Sequence, residues 1–115
     1  MTGANRKPLR IEQQKVSDYL LNPAKSRGKA AFFVRMGFAL ERWQELAEAL
    51  RQQAEFGTIA AVSKSPYGKR YSIEGALVTP DGRRPFPWIR TIWIEETGAD
   101  TWRLVTAYPV PRGEE

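Results

Sequence analysis

Residues 70–79, RYSIEGALVT, and residues 88–95, WIRTIWIE, decide the fold class of this chain. Both runs are rich in β-branched and aromatic side chains, which suit a pleated, half-buried surface. Between them stands PDG, residues 80–82. Proline presets φ and glycine accepts a positive one, so this segment turns the chain back on itself. Pro85 and Pro87 have no N–H for a central ladder, so the hairpin is expected to fray or bulge at that end. A further strand, Trp102 to Tyr108, follows the Gly98–Ala99 turn and is ended by Pro109 and Pro111. Thr58 to Val62 reads as a shorter strand upstream. The second half therefore predicts a four-stranded antiparallel meander.

The first half carries a helical period instead. Trp43, Leu46, Ala47, Leu50 and Ala54 recur at helical spacing, flanked by Glu41, Glu45 and Glu48, with Gly57 as the stop. A second helix is expected after Ser26, with Ala30, Phe32, Phe33 and Val34 turned inward and Gly37 as its left-handed cap. Val16, Tyr19 and Leu20 mark one face of a short helix ending near Asn22–Pro23. Residues 1–10 hold Arg6, Lys7 and Arg10 without an apolar period and read as a flexible basic tail. The expectation is an α+β fold over 11–111, a single domain with about three N-terminal helices on one face of the meander.

Composition narrows the chemistry. The sequence has no histidine and no cysteine. That removes imidazole acid–base pairs, thiolate nucleophiles, disulfides and most transition-metal sites. The acidic residues show no ligand spacing, so no metal or other cofactor is expected. The net charge of +5 and pI near 9.8 favour an anionic partner, with RNA the foremost candidate. No apolar run approaches the length of a membrane span and no leader pattern is visible, so no membrane association and a cytoplasmic location are expected.

Alternation splits the sheet into two faces. If Asp81–Gly82 and Gly98–Ala99 centre even-length loops, Tyr71, Ile73 and Leu77 join Ile92, Ile94, Val105 and Ala107 against the helices. The other face then gathers Arg70, Ser72 and Glu74 with Ile89, Thr91, Trp93, Leu104, Thr106 and Tyr108. Lys69 alternates away from that set and belongs to it only if the strand bulges near Gly68.

The run from Tyr19 through Asn22–Pro23, Gly28–Lys29–Ala30, Phe32–Phe33 and Gly37–Phe38 resembles a small uncharacterised bacterial domain family. The resemblance continues through Trp43, Tyr67–Gly68–Lys69, Tyr71, Glu74–Gly75 and Gly82–Arg83, then Thr91–Ile92–Trp93 and Leu104 to Pro109, covering about residues 11–110. Members of that family occur alone and as tails of proteins that look like polymorphic toxins. Helices followed by a meander are similar to the barnase, colicin and RelE type of ribonuclease. The resemblance implies a toxin module, and a small acidic protein from a neighbouring gene as a possible cognate partner.

Two functions follow as expectations. The first is a metal-independent endoribonuclease using Glu74, Tyr108, Thr106, Lys69 and Arg70 catalytically. Lys29, Tyr71, Thr91, Trp93 and Arg90 then hold the RNA. The second is a non-catalytic binding protein: an antitoxin, an immunity partner or an RNA-binding module.

Overall fold

A computed structural model describes residues 6–112. Among these residues three helices pack on one face of a five-stranded sheet. The strands are β1 (Leu9–Arg10), β2 (Thr58–Ser65), β3 (Gly68–Ala76), β4 (Trp88–Glu96) and β5 (Trp102–Pro109), in the order β1-β5-β4-β3-β2. Helix α1 (Gln13–Lys15) runs straight into a π-helical turn, Val16–Leu20; α2 spans Arg27–Arg35, and a 3₁₀ turn at Leu40–Arg42 leads into α3, Trp43–Phe56. Among the described residues, no helix is long and apolar enough to cross a membrane.

The expected four-stranded antiparallel meander is therefore incomplete. β2 to β5 form one, but β1 adds a fifth strand, parallel to β5 with Leu9 opposite Trp102. Its residues fall in the stretch read as a loose tail. A two-residue strand after Pro8 has no alternation to detect, and its partner lies at the far end of the chain. Side chains pin the segment where periodicity could not reveal it. Arg51 donates to the Leu9 carbonyl at 2.9 Å, Arg6 to the Gly57 carbonyl at 2.9 Å, and Lys7 to the Ala99 carbonyl at 3.0 Å. The remainder of the expected tail, residues 1–5, lies outside the described residues.

α3 buries Leu46, Ala47, Ala49, Leu50, Gln53 and Ala54 against β3 and β4. Its C-terminal end comes very close to the sheet. A Cβ on Gly57 would sit 2.6 Å from the Gln53 carbonyl oxygen and 2.7 Å from that of Glu74, so only glycine fits there. α2 ends as its sequence predicts: Gly37 has φ 103°, and the Phe38 N–H reaches the Phe33 carbonyl at 3.1 Å. α2 buries Ala30, Phe32 and Phe33, whereas Val34 points to solvent, 57% exposed.

Register determines which side chains reach each face. Leu77 N–H donates to the Pro87 carbonyl at 2.9 Å, so the loop from Val78 to Phe86 is odd in length and centred on Gly82. Tyr71 then faces Trp93, Ile73 faces Thr91 and Gly75 faces Ile89. β3 keeps its expected faces, but β4 is inverted. Ile89, Thr91 and Trp93 enter the core with no exposure, and Ile92 turns outward. Trp93 pairs with Leu104 as expected for the Gly98–Ala99 turn, and both are core residues. Val105 then bulges out of the ladder, after which Ile92 pairs with Thr106 and Arg90 with Tyr108. The bulge returns Thr106 and Tyr108 to the outer face with Glu74.

A buried polar chain ties α3 to both central strands. The Gln53 amide donates to the carbonyls of Ile73 and Ile89, each at 3.0 Å. Its oxygen accepts from the Thr91 hydroxyl at 2.7 Å, and Thr91 accepts from the Trp93 indole N–H at 2.8 Å.

Candidate functional site

With the helices all on one side, the outer face of β3, β4 and β5 is free to display side chains. Three of them form a row across the strands: Glu74, Arg90 and Tyr108. Arg90 holds the Glu74 carboxylate through both Nε, at 3.0 Å, and Nη2, and donates from Nη1 to the Tyr108 hydroxyl at 3.4 Å. These contacts, Glu74 first, raise the guanidinium pKa further and keep it fully charged. Because arginine can only donate, the Tyr108 proton is left for another acceptor.

The π-helical turn and α2 bring further groups to the edge of this row. The Tyr19 hydroxyl lies 3.5 Å from Thr106 Oγ1, which shares the outer face of β5 with Tyr108 two residues further on. Lys29 Nζ donates to the Tyr19 hydroxyl at 3.2 Å and stands 6.0 Å from the centre of the Tyr108 ring. Lys15, one helical turn before Tyr19, places its ammonium 5.0 Å from the Tyr19 ring centre. The Thr106 hydrogen bond, helped by Lys29 and Lys15 and opposed by burial, lowers the Tyr19 phenol below its usual pKa. Among the described residues, neither lysine makes an ion pair, whereas Glu74 is already neutralised by Arg90. The result is a cationic surface with two phenols and a hydroxyl.

The residues expected from sequence divide into three groups. Glu74, Arg90, Thr106, Tyr108 and Lys29 come together in this cluster. Arg70 shares the outer face but sits opposite Ile94, further along β3, and Lys69 falls on the other face opposite Glu95. Thr91 and Trp93 are wholly buried, so neither can touch a substrate; the odd-length β3–β4 loop is the reason. Tyr71 is stacked on Trp102 at 3.9 Å and donates to Glu95 at 2.9 Å, which also spends its side chain structurally. Burial, followed by the hydrogen bond and charge of Glu95, raises the Tyr71 pKa.

Residue type and charge alone do not single out Tyr19 and Lys15 as site residues. Their spacing of four on a short helix is a legible signal that they share a face. Nothing local indicates that this face overhangs β5. Among the described residues, no group of three or more acidic side chains is placed to hold a metal ion.

The family profile described as Domain of unknown function (DUF6883) matches residues 4–111, and the chain belongs to that family. Among curated proteins, none matches the sequence. A solved structure with a similar fold is a chain of the contact-dependent growth inhibition toxin–immunity protein complex from Klebsiella pneumoniae 342. It is 17% identical, with a TM-score of 0.70 over 96% of this chain and 98% of that one.

Proposed function

We propose that this DUF6883 domain is the toxin of a toxin–immunity pair and cleaves RNA without a metal ion, on the outer sheet face. The observation that carries the reading is the convergence of Lys29, Arg90, Tyr19, Tyr108 and Thr106 on one face outside the core. The fold likeness to a chain of a toxin–immunity complex is consistent with it.

The chemistry follows from the hydrogen-bond directions. Tyr19 in its phenolate form, which Thr106 and Lys29 favour from beside its oxygen, accepts the proton of a ribose 2′-OH as that oxygen attacks phosphorus. Lys29 and Arg90 hold the non-bridging oxygens of the pentacovalent phosphate. The bond to the 5′-oxygen breaks and that oxygen takes the free Tyr108 proton, leaving a 2′,3′-cyclic phosphate. Glu74 keeps Arg90 extended across the strands. It is a positioning residue, since its carboxylate is already engaged twice by the guanidinium.

The test is cleavage of a mixed RNA substrate in chelator, with end-group analysis. Tyr19→Phe and Tyr108→Phe each lower the rate by about 10²-fold or more if they transfer protons. Glu74→Gln, which retains a hydrogen-bond acceptor, costs less than either. A folded parent that cleaves nothing at micromolar concentration refutes the enzyme. It leaves the alternative that the chain is the immunity component of such a pair, since the similar fold comes from a complex that contains both kinds of protein.

A further inference from the structure

β2 is the long uncovered edge of the sheet. Among the described residues it pairs only with β3, and all eight of its residues are exposed. At the opposite edge β1 is two residues long, and α1 and α2 lie against the rest of β5. An edge strand presents unpaired N–H and C=O groups, and proteins usually blunt it with prolines, charges, bulges or a cover. β2 has no proline, a single charge at Lys64 and one irregularity, between Ile59 and Ala61. From Ala61 to Ser65 its ladder is regular.

The side chains on this edge are specific in kind. Ile59 and Val62 pair with Ile73 and Tyr71 on the helix-bearing face, yet they are 37% and 54% exposed. They extend the apolar layer of the core to the rim of the sheet. Towards the hairpin, Lys64 is directly opposite Lys69, and Ser63 is opposite Arg70. Like charges placed across a ladder repel. Among the described residues, none of Lys64, Lys69 and Arg70 forms an ion pair; Glu95, opposite Lys69, is bound to Lys7 instead. The rim is thus an unfinished ladder with an apolar end and an uncompensated cationic end.

We infer that β2 is a docking edge for an extended strand of an acidic partner protein, which adds to the sheet as a sixth strand. That strand carries carboxylates where it passes Lys64 and β-branched side chains where it passes Val62 and Ile59. A second copy of this chain does not answer the charge, because its β2 brings another lysine and no acid. RNA has no peptide ladder to complete the edge. The inference is independent of RNA cleavage and of the outer-face cluster.

Hydrogen exchange of the full chain tests it, using as probe a synthetic peptide of about ten residues in which valine alternates with serine in one half and glutamate alternates with serine in the other, so that both kinds of side chain share one face. At saturating peptide, the unpaired amides of residues 58–65 slow by about tenfold or more, and the effect weakens with salt. The same peptide with lysine in place of glutamate gives no protection. Val62→Glu, at an exposed position that leaves the core untouched, abolishes it. Lys64→Glu reverses the preference towards the lysine peptide, which controls for any loss of fold in the first variant. Equal protection by both peptides, or protection confined to segments other than 58–65, overturns the proposal. So does a peptide-free dimer in sedimentation that Val62→Glu converts to monomer, since the edge then belongs to a second copy.

Discussion

Replacing Gln53 with leucine removes the hub of the buried polar chain while nearly conserving side-chain volume, so the cost is polar rather than a cavity. Gln53 is 2% exposed and Thr91 has no exposure, so water cannot substitute for what is lost. The Thr91 hydroxyl loses the acceptor it holds at 2.7 Å. An orphaned buried donor costs about 1–3 kcal/mol. The Ile73 and Ile89 carbonyls each lose one 3.0 Å bond. Each such bond has a net worth of about 0.5–1.5 kcal/mol. The sum is about 2–6 kcal/mol, a large share of the 5–15 kcal/mol typical of a domain. Thr91→Val strands the Gln53 oxygen and the Trp93 N–H instead, for about 2–6 kcal/mol on the same reasoning. The double variant removes both ends of the 2.7 Å bond together, orphaning neither the Thr91 hydroxyl nor the Gln53 oxygen, and falls short of additivity by about 2–6 kcal/mol. Urea denaturation of the four proteins, with unchanged slopes, measures the cycle. A Gln53→Leu protein within about 0.5 kcal/mol of the parent, or an additive cycle, refutes the view that these contacts hold α3 to the strands.

Two titrations probe charge directly. Lys29→Met moves the Tyr19 phenol upward, towards the ordinary tyrosine value, because a donated hydrogen bond and a cation that favour phenolate are gone. The ultraviolet difference between that protein and its Tyr19→Phe derivative, followed from neutral to alkaline pH, reports the change without any RNA; an unmoved titration refutes the coupling. Glu95 is held below its usual pKa, first by Lys7 and then by Tyr71. A carboxylate lowered on folding contributes stability above its unfolded pKa, and that contribution disappears as pH falls through the lower folded value. Glu95→Gln is therefore destabilised in urea at pH 7 and matches the parent in strong acid; an equal deficit at both pH values rejects the linkage.

Local grammar carried much of the architecture. The α3 stripe of Leu46, Ala47, Leu50 and Ala54, the Gly37 cap and β2 to β5 were legible because each depends on neighbours a few residues away. β1 was not, since two residues carry no period and their anchors, Arg51 and Trp102, are remote in sequence. Face assignment failed on β4 for a narrower reason: the loop beyond Leu77 counts odd, and one residue inverts every side chain that follows. Glu74, Arg90, Thr106, Tyr108 and Lys29 were nevertheless legible, because charge and residue type flag them separately from register. Tyr19 needed the tertiary placement of its turn against β5.

The bulge at Val105 makes the outer face depend on counting rather than on chemistry alone. Substituting Thr106 changes one side chain, but inserting one residue beside Val105 poses a question of frame for everything downstream. The ladder must extrude two residues, keep one bulge and turn Thr106 and Tyr108 inward in place of Ala107, or run regularly and carry Tyr108 two places along β4, away from Arg90. Loss of Val105 is the milder event: with the extra residue gone, the strand runs regularly and Thr106 and Tyr108 still point outward. Length changes at this point are thus asymmetric, tolerated as a deletion and disruptive as an insertion, although neither touches a member of the cluster.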